Sequence, residues 1–149
     1  MRRGLWMGLL AGLLGVLGCS GSSGDDGLLP VGGTIKLDGV PTANVSVVFI
    51  PQGDTKGHGG SGTTDESGQY QIMTPQGKKG LLPGDYKVAV SRRLNPDGSP
   101  PNPNEKPIES KARETLPPKY SDKEKTELSA KLTSDYSQTF DFDLKVKRK

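Results

Sequence analysis

Short apolar stretches separated by turn residues make up most of this 149-residue chain, and the pattern changes character once, near Leu28. Before that point an uncharged, mostly apolar run extends from Leu5 to Leu17 and is followed by "SGSSGDDG". After it, side chains alternate. In "VGGTIKL" Ile35 and Leu37 oppose Thr34 and Lys36, and "DGVP" (Asp38–Pro41) supplies a turn signal. "VSVVFIP" (Val45–Pro51) is rich in β-branched residues, as a well-covered strand would be. "GDYKVAVS" sets Tyr86, Val88 and Val90 against Lys87, Ala89 and Ser91. "TELSAKLTS" and "QTFDFDLKV" read as two further strands, the latter with Phe140, Phe142, Leu144 and Val146 opposite Asp141, Asp143 and Lys145. No segment after Leu28 sustains an apolar period of 3.6. The pattern therefore predicts an all-β fold: about seven strands in a two-sheet Greek-key sandwich. The exception is Arg92–Pro118. Its "RRLNPDGSPPNPNEKP" holds five prolines and almost nothing to bury, which predicts a long loop or lid over one end of the sandwich.

Composition supports this picture. With 21 glycines, 12 prolines and 31% hydrophobic residues, the chain is poor in helix formers and its core must be small. The formal charge of +3 is a weak indicator, because Arg2 and Arg3 lie in the amino-terminal segment and the rest is nearly neutral. No nucleic-acid partner is expected, since that requires basic side chains concentrated on one face. The terminal "KVKRK" reads as a solvated tail.

The amino terminus carries an address. Two arginines precede the apolar run, which is shorter than the roughly 20 residues a membrane-spanning helix needs. It matches the apolar core of a secretory signal. At its end "VLGC" (Val16–Cys19) resembles the bacterial lipobox, although Leu17 is larger than usual for its place. The resemblance implies cleavage between Gly18 and Cys19 and a diacylglycerol thioether on Cys19. That chemistry accounts for a lone cysteine, which would otherwise be a free thiol in an oxidising compartment. More than one acyl chain gives stable anchoring. The alternative is a buried cysteine in an uncleaved helix. Residues 1–18 are thus expected to be the signal peptide and 19–29 a lipidated tether. Ser20, standing where an aspartate would retain such a protein at the inner membrane, favours the outer membrane.

From 30 to 147, "VGGTIKLDGVPTANVSVVFIPQG", "GTTDESGQYQI" and "KGLLPGDYKVAVS" resemble, in this order, the carboxypeptidase regulatory-like, transthyretin-like domain. With "LPPKYSDKEKTELSAKL" and "FDFDL" they are most similar to small planctomycete lipoproteins carrying that domain. The resemblance implies a non-catalytic transthyretin-like or immunoglobulin-like sandwich. Its matched residues are fold-making: Asp65 and Gly68 can close one turn, and Pro83 and Gly84 another.

Candidate chemistry is sparse. The single histidine, His58, stands in "KGHGGSG", read as a flexible exposed loop, and is expected to be a bystander. A zinc site, a Ser-His-Asp set, a phosphate loop and a calcium cluster all lack their required partners. No metal and no cofactor are expected. An isopeptide bond from Lys36 to Asp141 or Asp143 is disfavoured, because all three alternate with apolar neighbours and should face solvent. The expected function is a non-catalytic binding or structural module of a cell-envelope lipoprotein, anchored to a membrane and presenting loops to a protein or glycan. The alternative is an accessory subunit or spacer of an exported enzyme or transport complex. Arg92, Arg93 and Tyr120, which flank the proline-rich excursion, are the candidate contact residues, because arginine and aromatic anchors dominate many interfaces. The plainer reading of these side chains is that they pack the edge of the sandwich.

Overall fold

A computed structural model describes residues 27–133 and 136–146. Residues 1–26, with the signal segment, Gly18, Cys19 and most of the tether, lie outside the described part. The fold is an all-β sandwich. One sheet is continuous and antiparallel, built from β3 (Ser46–Pro51), β4 (Gly60–Thr63), β6 (Gly84–Ser91) and β9 (Ser129–Leu132) in the order β4-β3-β6-β9. The other is assembled around β1 (Val31–Leu37). On one side β1 pairs antiparallel with β5 (Gln69–Gln71) and, through a hairpin, with β2 (Val40–Pro41). On the other side it pairs parallel with β10 (Gln138–Thr139) and β11 (Phe142–Leu144). A small ribbon of β7 (Arg93–Leu94) and β8 (Arg113–Glu114) stands apart from both sheets, and α1 (Pro118–Ser121) is a single turn leading back to β9. The segments outnumber the strands expected because several are two-residue pieces and the last strand is split in two.

The period-two patterns place the core as anticipated. Val47 and Phe49 of β3 and Tyr86, Val88 and Val90 of β6 are buried and face Ile35, Tyr70 and Leu144. Phe49 stacks at a tilt on Tyr86 in its own sheet and on Phe140 of the other, with ring centroids 6.0 Å apart in each case. Ala89, on the strand face opposite Tyr86, Val88 and Val90, is buried too: it is a single methyl on an interior strand, paired with half-buried Val48. Lys36, Asp141 and Asp143 are exposed as expected.

The turns follow their residues. Asp38 and Gly39, at φ +50° and +86°, make the two-residue hairpin that the Asp-Gly pair specifies. The Asp65 carboxylate accepts the Ser67 and Gln69 amides at 2.8 and 3.0 Å, and Gly68 supplies the positive φ that closes this turn. Next to it, buried Thr64 accepts the Val45 amide at 2.9 Å and donates to the Thr42 carbonyl at 2.7 Å.

Two expectations are corrected. The glycines of "KGHGGSG" serve close packing rather than flexibility. A Cβ on Gly59 would collide with the Phe49 carbonyl, and one on Gly60 would lie 2.6 Å from the Met73 carbonyl oxygen. The absence of side chains lets β4 run against residues 71–73, where Ser61 and Met73 exchange backbone bonds at 2.9 Å and join the two sheets at this corner. The Arg92–Pro118 excursion also buries more than its proline-rich composition suggests. Ala112 and Leu116 are buried, and its stem is the β7–β8 ribbon.

Candidate functional site

The start of β6 lies beside a cleft of about 240 Å³ built from four separate parts of the chain. Its floor is Leu81 and the ring of Tyr86, both buried, with half-buried Leu82 and Leu28 beside them. One wall is the β3–β4 connection with Lys56 and His58; another is the turn carrying Thr74, Gln76 and Lys78. Among the described residues the lining includes the basic side chains Lys56, His58 and Lys78 and no acidic one.

Local chemistry sets each wall. The Thr55 hydroxyl accepts the Asp85 amide at 2.8 Å and donates to the Asp85 carbonyl at 3.1 Å, which ties the Lys56 segment to the head of β6. The Thr74–Lys78 turn is closed by the Thr74 amide on the Lys78 carbonyl at 2.8 Å and by the Thr74 hydroxyl accepting the Lys78 amide at 3.2 Å. The Tyr86 hydroxyl donates to the Leu82 carbonyl at 2.7 Å and so holds the floor residue against the strand. Burial pushes the Tyr86 phenol above its usual range, so the ring stays neutral as an apolar floor. The chain enters at this same end, where Leu29 and Leu81 exchange backbone bonds at 2.8 and 2.9 Å.

The residues singled out from sequence lie elsewhere and are tied into different elements. The Arg92 amide donates to the Glu114 carboxylate at 3.0 Å, and its buried Nε has no partner in the described structure. Arg93 is exposed and its guanidinium donates to the Ala112 carbonyl at 2.7 Å. Arg92 thus braces the base of the β7–β8 ribbon through its backbone and Arg93 through its guanidinium. Tyr120 is a core residue, only 8% exposed; its hydroxyl accepts the Lys145 amide at 3.3 Å and the Lys119 ammonium lies 4.8 Å from its ring centroid. Its ring is therefore packing for the sandwich and not a surface offered to a partner.

Sequence reading missed Glu114, the residue that organises the excursion. Its carboxylate accepts the Ser91 hydroxyl and the amides of Arg92, Thr115 and Leu116, so it ties both ends of the excursion to the end of β6. His58 is exposed as expected, yet it belongs to the cleft wall. No sequence signal joins Leu28, His58, Lys78 and Tyr86, because the corner at β4 is what brings them together. Among the described residues there is no group of three or more His, Cys, Asp or Glu side chains able to hold a metal, and no helix long and apolar enough to cross a membrane. No family model, curated protein or solved structure matches the chain.

Proposed function

We infer that the protein is a lipid-anchored envelope lipoprotein whose transthyretin-like sandwich is a non-catalytic display module, holding the proline-rich excursion toward a protein or glycan partner. One observation carries this reading: the chain enters and the excursion leaves at opposite ends of β6. Leu81 and Leu82, at the entry end, precede the strand; Arg92, where the excursion starts, follows it. Eight strand residues at about 3.3 Å each separate the two ends by roughly 25 Å. A tether from Cys19 to Gly27 would hold the entry end within about 28 Å of a membrane, the most that eight residue steps can span. The excursion would then point away from that surface. Its exposed Ile108 is a large apolar side chain at 92% exposure, and Glu114 fixes the base from which the excursion projects.

The lipid anchor is tested by fatty-acid labelling of the wild-type chain and of Cys19→Ala in a bacterial host that processes lipoproteins. Label is expected on the wild type alone; equal label on both rejects the anchor. The display role is tested by crosslinking from position 108 in native cells. A discrete, repeatable partner band that is absent when the crosslinker stands at Lys56 supports the reading, and identical products from both positions reject it.

A further inference from the structure

We propose that the hollow beside the stem of the proline-rich excursion is a binding site for an uncharged, hydroxyl-rich glycan. The proposal rests on the display reading above and commits it to one class of partner. The hollow has a volume of about 440 Å³ and is lined by Asn95, Pro96, Asp97, Asn102, Glu105 and Lys111. Small-molecule sites have volumes of roughly 300–1,000 Å³. Local hydrogen bonds fix its walls. The Asn95 amide donates to the Ser99 carbonyl at 2.8 Å, and the Asn95 side chain donates to the Ser99 hydroxyl at 3.1 Å and to the Pro100 carbonyl at 3.2 Å. One oxygen of Asp97, Oδ1, accepts the Ser99 amide and hydroxyl at 3.0 and 2.7 Å. A second turn supplies Asn102 and Glu105: the Asn102 carbonyl and side-chain oxygen accept the Glu105 and Asn104 amides at 3.1 and 2.9 Å. Lys111 is placed by its neighbour, since Ala112 is buried and its carbonyl is held by the Arg93 guanidinium at 2.7 Å.

These bonds hold the backbone and leave other polar groups of the lining available. Among the described residues the Asp97 Oδ2, the Asn102 Nδ2, the Glu105 carboxylate and the Lys111 ammonium make no hydrogen bond or ion pair within the protein. The hydrogen bonds from Ser99 hold the Asp97 carboxyl below its usual range, so it stands ready as an ionised acceptor. One hollow thus offers carboxylate acceptors together with amide and ammonium donors. A sugar hydroxyl both donates and accepts, so adjacent hydroxyls of a pyranose can meet a carboxylate and a donor at once. Other occupants fit less well. The two carboxylates oppose a phosphate, and the ammonium opposes a bare cation. Pro96 is the one apolar residue of the lining, too little to seat the large apolar anchor of a peptide. Its ring suits the C–H face of a sugar.

The test uses the full chain, purified in detergent, in native gels cast with an uncharged polysaccharide (dextran, mannan, galactan or glycol chitin) or with anionic polygalacturonate. Retardation by one or more of the uncharged polymers, and none by polygalacturonate, is expected. Glu105→Ala combined with Lys111→Ala should weaken that retardation by more than about tenfold in apparent affinity, because hydrogen bonds to charged groups are lost. Among the described residues neither side chain is tied into the fold, and an unchanged melting curve shows that the double variant is intact. Retardation by none of the uncharged polymers, equal retardation by polygalacturonate, or undiminished retardation of the double variant overturns the proposal. So does loss of retardation on adding EDTA, which would place a cation in the hollow. Crosslinking from position 108 reads the display role separately. A discrete protein band there, without retardation in any gel, leaves display standing and removes the glycan site.

Discussion

Across β3 and β6 the paired positions are Val47 with Val90 and Phe49 with Val88, whereas along β1 they are Gly32 with Gln71 and Gly33 with Tyr70. The first sheet is held by interlocking apolar side chains, the second by backbone approach and by side chains that substitute for backbone. Where the last strand breaks at Phe140 and Asp141, the Asp141 carboxylate accepts the Thr34 amide at 2.7 Å. Further along, the Asp143 carboxylate accepts the Gly39 amide at 2.8 Å, and the Tyr70 hydroxyl donates to the Phe140 carbonyl at 2.7 Å. A sheet of the first kind loses stability in proportion to the volume removed. One of the second kind is sensitive to added atoms and to charge.

The largest effect should come from the first sheet. Phe49 is 1% exposed and stacks on rings in both layers, so Phe49→Ala should destabilise the whole fold by about 3–5 kcal/mol. Chemical denaturation should show this as a lower midpoint with every probe moving together. The second sheet should fail differently. In Gly33→Ala the new methyl would collide with the Phe140 carbonyl, a clash of the kind that costs roughly 1–3 kcal/mol. Hydrogen exchange should then accelerate first at residues 138–144, while β3 and β6 keep their protection. Loss of protection in both sheets together would show that they are one cooperative unit.

The smallest effect is a pH dependence. Burial, aided by the negative charge of Asp141, holds the Tyr70 phenol well above its usual value near 10. The folded state therefore keeps this proton after the unfolded chain has released it. The resulting stabilisation is complete below about pH 10 and is lost as pH rises further. Between about pH 9 and about pH 11 the denaturation midpoint of the wild type should fall more than that of Tyr70→Phe. Parallel decline in both proteins would assign the alkaline sensitivity elsewhere.

Much of the first sheet was legible in the sequence, because Val45–Pro51 and Gly84–Ser91 carry their own burial pattern and each residue there answers to its neighbours two places away. The Asp38-Gly39 hairpin and the Asp65–Gly68 turn were legible for the same reason: their causes are local. The break in the last strand was not. Phe140, Phe142, Leu144 and Val146 alternate without interruption, and the interruption comes from Gly33, which lies far away in sequence and lets the Phe140 carbonyl approach β1. The burial of Ala112, Leu116 and Tyr120 was hidden because isolated apolar residues among prolines show no period. The cleft was hidden more deeply still. Its wall includes a glycine-rich segment whose composition suggests looseness, and only the carbonyls packed against Gly59 and Gly60 reveal it as a fixed corner.

The parallel pairing of β1 with β10 and β11 has a mechanical consequence. Val31 lies beside Gln138 and Leu37 beside Leu144, so the chain enters the sheet at one end and leaves it at the other. Tension applied between the two ends would pull these neighbouring strands past each other, loading their hydrogen bonds together in shear instead of opening them one by one. A domain so threaded resists stretching along its own axis. A hairpin pulled at its two adjacent ends would unzip.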